Sequence, residues 1–434
     1  MNISVIGLGK LGSCMAVVYA SKGHTVVGVD IQKEFVDKIN AGEAPVKEKD
    51  LDEYIQKGKE MFRATTEYSV AIQQSDITFI IVPTPTDETG GFTAKYVEAV
   101  CENIGRELQK KSSYHVVVLT STLLPGDCQE KVIPILEKYS GKICGEDFGF
   151  CYSPEFIAIG SVVYDLLHPD FFLIGESDKK SGDLLESFYA TVSDNNAPVR
   201  RMSISSAELT KISLNSFLTM KITFANMLTE VAEHIPGVHI DHVTEAIGSD
   251  KRVGKYYLRG GLGFGGPCFP RDNRAFAYMA ERRGVKVPFA EKTDEYNRSI
   301  IERSVKKITS IASKADRIAM LSLSYKPGTY FAEESHPVLI TDRLVKEGYT
   351  VHVCNPDGND HVKAILKDTV IYHETALGCV KEATVLFLGN MGLSQYIQEM
   401  HSNTSLKIII DPWRQLDVKN IPLGIDYLTF GQYS

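Results

Sequence analysis

One cysteine is set apart by its neighbours. Cys268 lies in the run GFGGPCFPRD, residues 263–272, with Gly263, Phe264 and Gly265 ahead of it and Arg271 and Asp272 behind. Glycines let a backbone approach a ligand closely, and a cation near a thiol populates the thiolate, the form that attacks carbonyl carbon. The other seven cysteines (14, 101, 128, 144, 151, 354 and 379) are scattered without CxxC spacing, so they read as reduced, small, buried hydrophobes. Lys211 and Asn215 are four residues apart, which on a helix puts them on one face a turn apart, where both can donate hydrogen bonds to a developing oxyanion. A solvated lysine is the plainer reading of that pair. Glu155, in Ser153-Pro154-Glu155, could act as a general base, and Thr122, in Ser121-Thr122, could hold a water; ordinary turn residues are the alternative.

A second kind of chemistry is written at the start of the chain. Gly7, Gly9 and Gly12 enclose Lys10 and Leu11 in GLGKLG, directly after a strand-like run and before a helical one. Small residues there permit a tight turn and bring backbone N–H groups to a pyrophosphate. Asp30 ends the next strand-like run, where a carboxylate bonds a ribose diol and repels a 2′-phosphate. The combination points to a dinucleotide, NAD in preference to NADP.

The elements that must position these residues follow from the apolar pattern. A strand through Ile6, a helix to about Ala20 and a strand over residues 25–29 make a βαβ opening. Strand-like runs recur at 77–82, 116–120 and 172–174, which predicts a largely parallel sheet with helices on both faces. Ser205 and Glu208 have capping-box spacing, and helix-compatible sequence then runs to Glu233 and His234 before Ile235-Pro236-Gly237 stops it. A further helical stretch spans about 241–248. A strand at 318–323, a helix at 337–348 and a strand at 349–354 then repeat the opening, with residues 348–353 echoing 23–28. In place of the glycine fingerprint the second copy has Ser322-Leu323-Ser324-Tyr325-Lys326-Pro327-Gly328, so it is expected to have lost dinucleotide binding and kept a nucleotide-sized crevice. The expected fold is α/β: two Rossmann-like, doubly wound domains joined by a central long helix and a small helical domain, divided as 1–200, 201–300 and 301–434.

Composition sets outer limits. The 434 residues are too many for one ordinary core, and 43% apolar with 24% charged residues is the make-up of a globular chain. A net charge of -8 argues against a nucleic-acid binder, whose basic footprint would show in the totals. The opening residues have no basic leader or cleavage pattern, and no apolar stretch reaches membrane length, so a cytoplasmic protein without a membrane partner is expected. The cysteine spacing predicts no metal site.

With these residues assembled, the chain resembles the UDP-glucose and GDP-mannose dehydrogenase family along essentially its whole length. The resemblance rests on GLGKLG with Asp30, Val82-Pro83-Thr84-Pro85-Thr86 before a Gly-rich turn, Ser121-Thr122, Ser153-Pro154-Glu155-Phe156, residues 208–215, and GFGGPCFPRD. It implies a four-electron oxidation with two NAD, in which a sugar's primary alcohol becomes an aldehyde, Cys268 captures it as a thiohemiacetal, and a second oxidation gives a thioester that water releases as the acid. Lys211 and Asn215 would stabilise oxyanions, Glu155 would be the base for hydrolysis, and Asp272 with Thr122 would order the water. Pro83, Thr84, Pro85, Thr86, Thr122 and Arg271 join the glycine loop as implied NAD contacts. Implied nucleotide-sugar contacts are Glu155, Phe156, Lys211, Asn215, Arg252, Tyr257, Arg259, Gly263, Phe264, Gly265, Tyr325, Lys326 and Arg414, with Arg252 reaching across a homodimer built on the long helix. The ending Phe269-Pro270-Arg271-Asp272 looks more like the UDP-glucose branch than the N-acetylhexosamine branch, so UDP-glucose to UDP-glucuronate is the specific expectation, with a UDP-N-acetylhexosamine or GDP-mannose next. The chain departs from the family pattern at Ile159, Arg259, Pro267, Glu333, residues 389–391 and residues 411–414. The rivals are a two-electron dehydrogenase of the β-hydroxyacid kind, which has no need of Cys268, and a non-catalytic sensor of NAD or a sugar nucleotide.

Overall fold

A computed structural model describes residues 1–88, 90–381, 383–396 and 405–433. The chain divides into two compact units, Met1–Ser213 and Leu214–Ser434.

Unit 1 is built on eight strands: β1 (Asn2–Ile6), β2 (Thr25–Val29), β3 (Phe62–Thr65), β4 (Ile77–Ile80), β5 (Val116–Leu119), β6 (Gly149–Tyr152), β7 (Phe172–Glu176) and β8 (Val199–Ser203). They form one sheet in the order β3-β2-β1-β4-β5-β6-β7-β8. All neighbours are parallel except β6 and β7. The central strands are apolar on both faces because helices cover both. Along β5, Val116 and Val118 enter one core while Val117 and Leu119 enter the other, the period of two that a pleated strand imposes. Each such fully buried side chain contributes about 1.5–3 kcal/mol. Strand order reverses between β1 and β4, so the carboxyl ends of β1, β2, β4, β5 and β6 place residues 7–12, 30, 81–86, 121–122 and 153–156 along one edge, where open α/β sheets hold ligands.

Unit 2 repeats the plan. β9 (Arg317–Leu321), β10 (Thr350–Cys354), β11 (Ile371–Tyr372), β12 (Val385–Leu388), β13 (Ile408–Asp411) and β14 (Asp426–Thr429) form a parallel sheet in the order β11-β10-β9-β12-β13-β14. Helices Ile240–Ser249, Phe269–Arg282 and Pro288–Thr309 precede it. The first strands of the two sheets are the same object: Gly7 N–H donates to Val29 O at 2.8 Å and Ser322 N–H donates to Cys354 O at 2.8 Å.

The long helix, Ile204–Ala232, carries the chain from one unit to the next. Its start differs from the expected capping box. β8 runs directly into the helix, so Ser203 is the residue outside it, and its Oγ accepts from the Ser206 N–H at 3.3 Å. Ser205 instead donates to Gln129 at 3.2 Å. Glu208 does not turn back to the helix start. It is fully buried, and its two oxygens accept from the N–H groups of Gly126 and Cys128 at 2.7 and 2.9 Å. Two donors offset part of the desolvation, which still raises its pKa. Along the helix, Phe217, Phe224, Met227 and Val231 are exposed, an apolar stripe at near seven-residue spacing. Among the described residues no helix is long and apolar enough to cross a membrane.

Candidate active site

In unit 1 the glycine loop is fitted to its sheet and open to a ligand. Gly7 has φ +97°, and a Cβ there would stand 2.1 Å from Ile81 O. A Cβ on Gly12 would stand 1.8 Å from Gly7 O, so only glycine lets the helix Lys10–Ser21 begin this close to the turn. Around Gly9, by contrast, a Cβ would meet nothing within 4 Å. That open space at the start of a helix is where a pyrophosphate fits. Asp30 fixes the turn, accepting from Leu8 N–H at 2.7 Å and Gln32 N–H at 2.8 Å, and its oxygens keep lone pairs for a ribose diol. Lys10 lies 3.6 Å from the buried Glu48 carboxylate, so its charge is shared with the protein; Leu11 is half-buried against the core.

The neighbouring loops are tied to one another. Ser121 Oγ accepts from Val82 N–H and donates to Val82 O, at 2.9 and 2.7 Å. Thr84 Oγ1 donates to Thr122 O at 2.8 Å, leaving the Thr122 hydroxyl outside that bond. Pro83, Pro85 and Thr86 are exposed on the same edge. Ser153 is structural, with its hydroxyl on Leu173 O and the Tyr189 hydroxyl. Two residues on, three expected residues meet. Lys211 Nζ donates to Glu155 O at 2.6 Å and stands 4.6 Å from the centre of the Phe156 ring. Burial pushes the Glu155 carboxyl up to about 7, and the Lys211 charge only partly opposes it. A carboxyl with that value can take up a proton near neutrality.

In unit 2 the cysteine helix, Phe269–Arg282, begins right after Cys268. Cys268 is exposed, while Cys14, Cys101, Cys128, Cys151, Cys354 and Cys379 are buried and Cys144 is partly so. Burial pushes up the thiol pKa of Cys14, Cys101, Cys128, Cys144, Cys151 and Cys379. The first turn of the cysteine helix carries a buried network. Asn215 Nδ2 donates to Asp272 Oδ2 at 2.7 Å, and Arg271 donates to Asp272 Oδ1 through Nε at 3.0 Å and Nη2 at 2.8 Å. Asp272 is 1% exposed, and these donors satisfy its buried oxygens. Burial would lower the Arg271 pKa, but opposing charges, led by the adjacent Asp272 carboxylate, outweigh it and raise it.

Other expected contacts serve the scaffold. Gly263 and Gly265 do allow close approach, but to protein: a Cβ on Gly263 would stand 2.1 Å from Asn297 Oδ1, and one on Gly265 would stand 2.4 Å from Glu334 O. Both backbone groups of Phe264 are taken by the Asn297 amide, at 2.9 Å each, and Gly263 N–H donates to His336 Nδ1 at 3.2 Å. Burial keeps His336 neutral, pushed down to about 3. Arg414 uses all its N–H donors internally, paired through two nitrogens with Asp241 and bonded to the carbonyls of Gly260, Pro412 and Phe430. All of its N–H donors are thus engaged within the protein. Arg252 lies in an exposed turn on Asp250 at 2.6 Å, and Arg259 donates to Trp413 O at 3.0 Å. Tyr257, at φ +60°, sits 6.0 Å from the Phe269 ring; Tyr325 covers Gly266, and the Lys326 carbonyl accepts from Ser324 at 3.0 Å. Asn297 and His336 had no motif to mark them, since a buried polar residue on a helix looks like an exposed one until its partner is known.

The sequence profile for the NAD binding domain of the UDP-glucose/GDP-mannose dehydrogenase family matches residues 1–193, and that for the family's central domain matches 205–299. A GDP-mannose 6-dehydrogenase of Pseudomonas savastanoi pv. phaseolicola is 37% identical over 357 residues, covering 81% of this chain and 80% of that one. A UDP-glucose 6-dehydrogenase of Haloferax volcanii is 32% identical over 387 residues, covering 88% and 89%. The structure of a UDP-glucose dehydrogenase from Pyrobaculum islandicum superimposes with a TM-score of 0.90 at 29% identity, covering 98% of this chain and 96% of that one.

Proposed function

Because the chain belongs to the UDP-glucose/GDP-mannose dehydrogenase family and carries its NAD-binding domain, we propose that it oxidises the C6 hydroxyl of a nucleoside diphosphate hexose to a carboxylate, with Cys268 as the covalent anchor. The observation that carries this reading is the contrast among the cysteines: the one that is exposed stands at a helix start beside the Arg271–Asp272–Asn215 network. The glycine loop and Asp30 would hold NAD, which would supply the hydride acceptor for each oxidation. The alcohol carbon loses two electrons to become an aldehyde, and Lys211 and Asn215 donate to its oxygen. The Cys268 sulfur then forms a C–S bond to that carbon, and the aldehyde cannot diffuse away before the second oxidation makes a thioester. Glu155 takes a proton from the water that breaks the C–S bond, and Asp272 with Thr122 orients that water. One alcohol and one water thus yield one acid, with two NAD reduced.

Within the family GDP-mannose is the first sugar to test, because identity to a relative named for it is higher. UDP-glucose, the expectation from residues 269–272, is the second reading, favoured by the close superposition. The exposed stripe of Phe217, Phe224, Met227 and Val231 is taken as a homodimer face; a monomer at all concentrations in sedimentation would remove that assignment. The deciding assay counts NADH released per sugar over a panel of UDP-, GDP- and dTDP-sugars. Two NADH per sugar, and loss of acid formation by about 1000-fold or more in Cys268→Ser, are expected. One NADH per sugar with an undiminished Ser variant sinks the reading.

A further inference from the structure

We propose that Asn273 and Asn297 are positioning residues: two buried amides, one on either side of Cys268, that tie the ends of its segment to the helix Pro288–Thr309 and so set where the sulfur can reach. The inference rests on the reading of Cys268 as the covalent anchor. Ahead of the cysteine, Asn297 projects from that helix and is 6% exposed. Its Oδ1 accepts from Phe264 N–H and its Nδ2 donates to Phe264 O, both at 2.9 Å. One side chain thereby satisfies both backbone groups of a loop residue, as a neighbouring strand would. His336 Nδ1 adds a bond to Gly263 N–H at 3.2 Å, and Glu333 O accepts from Gly266 N–H at 2.9 Å.

Behind the cysteine, Asn273 is buried near the start of the cysteine helix. Its Nδ2 donates at 2.7 Å to the carbonyl of Ala290, in the first turn of the same helix Pro288–Thr309, and its Oδ1 accepts from Ser216 Oγ at 2.9 Å. Beside it Asp272 takes Asn215, so two successive residues of the long helix hold two successive residues of the cysteine helix. That grip reaches the cysteine through the backbone, because Asp272 N–H donates to Cys268 O at 2.8 Å. The exposed thiol therefore sits on a short span fixed at both ends. Apolar side chains could fill these positions, but a hydrogen bond sets distance and angle where an apolar contact sets neither. Such precision matters to a covalent step, since a misplacement of about 1 Å can cost about 100-fold in rate.

The test counts products made by the full-length protein: NADH per sugar, and free aldehyde trapped with hydroxylamine, for the wild type, Asn297→Asp and Asn273→Asp. Each Asp keeps the size and the acceptor but deletes the donor, to Phe264 O in one variant and to Ala290 O in the other. With the sulfur misplaced, the first oxidation proceeds and the aldehyde leaves before a C–S bond forms. NADH per sugar should then fall from two towards one, and the ratio of acid to trapped aldehyde should drop by about tenfold or more. A merely structural role would reduce the amount of working enzyme and leave that ratio alone. Two NADH per sugar with no trapped aldehyde in a variant overturns the assignment of that residue, whatever its rate. Ser216→Ala, which frees only the Asn273 oxygen, should move the ratio the same way and decides the matter where neither Asp variant folds. Failure of the parent reading looks different: the wild type itself would then stop at one NADH per sugar.

Discussion

The turns that follow β1 and β9 share a backbone and differ in chemistry. In each, the residue after the strand has a positive φ, Gly7 at +97° and Ser322 at +60°. In each, the next residue's N–H is held by the side chain that ends the second strand: Leu8 by Asp30 at 2.7 Å, Leu323 by Asn355 at 3.1 Å. Even the close approach to the neighbouring strand is kept, but the glycine has changed sides. A Cβ on Gly7 would stand 2.1 Å from Ile81 O, whereas in the second copy Gly389 is the small residue and a Cβ on it would stand 2.2 Å from Ser322 O. A tight crossing needs one glycine, and either strand can supply it. The helix begins at Lys10 in the first copy but only at His336 in the second, and the added loop fills its own turn: Asn390 Nδ2 donates to Ser324 O at 2.6 Å, and Ser335 donates to Leu323 O at 2.6 Å. A shared frame therefore does not carry a shared ligand. What differs is that the helix starts at the first turn, beside the open space at Gly9, and that Asp30 carries a charge where the second copy has Asn355.

The sharpest way to break the comparison is to close the first turn. Gly12→Val places atoms where only 1.8 Å separates a Cβ from Gly7 O, so NAD binding by calorimetry should fall below detection while circular dichroism shows unit 2 still folded. Next in size is the change at the proposed base, Glu155. Glu155→Gln should slow acid release by about 100-fold, and the wild-type rate should rise with pH through about 7 as the carboxyl loses its proton. Because burial raises that pKa, the folded chain holds the proton more tightly than the unfolded chain, so Glu155 costs stability as pH rises from 4.5 through about 7. Glu155→Gln should therefore raise the melting temperature at pH 8 and leave it unchanged at pH 4; a rate profile flat from pH 6 to 8 in the wild type would remove the base from this role.

Asp30→Asn makes the first turn like the second. The loss of one charge-assisted bond to the ribose should lower kcat/KM for NAD roughly tenfold and narrow the margin over NADP; equal kinetics with both cofactors before and after the change would refute the ribose argument. The smallest effect is expected for Ser322→Gly. It relieves a positive φ and forfeits the Asn390 contact at 3.2 Å, so stability should change by less than about 1 kcal/mol, with no NAD binding gained. Binding gained there would mean that glycine content, and not open space and charge, separates the two turns.

Much of this was legible because it is local. A strand, a tight turn and a helix are set by apolar period and by glycines, and β1, β2, β9 and β10 fall where those signals put them. Asp30 was legible because its role depends on its place after a strand. Glu208 was misread as a capping residue because three-residue spacing after Ser205 is only necessary for a cap; the helix starts at Ile204, and the Gly126 and Cys128 N–H groups compete for the carboxylate. Gly263 and Gly265 were correctly seen as sites of close approach, yet glycine does not say what approaches, and here it is Asn297 and Glu334.

By itself the sequence determined two largely parallel α/β sheets, the glycine turn with its acid, and a single cysteine among glycines and charges, because each depends on residues close together in the chain. The tertiary structure decided which polar groups spend their hydrogen bonds on the protein. Arg414 and Asn297 are consumed by the scaffold, while Asp272 gathers Asn215 and Arg271 from distant and adjacent positions into one buried network. The physical reason is that a hydrogen-bonding group is indifferent to sequence separation: its partner is whichever donor or acceptor folding brings within 3 Å or so, and no spacing rule encodes that.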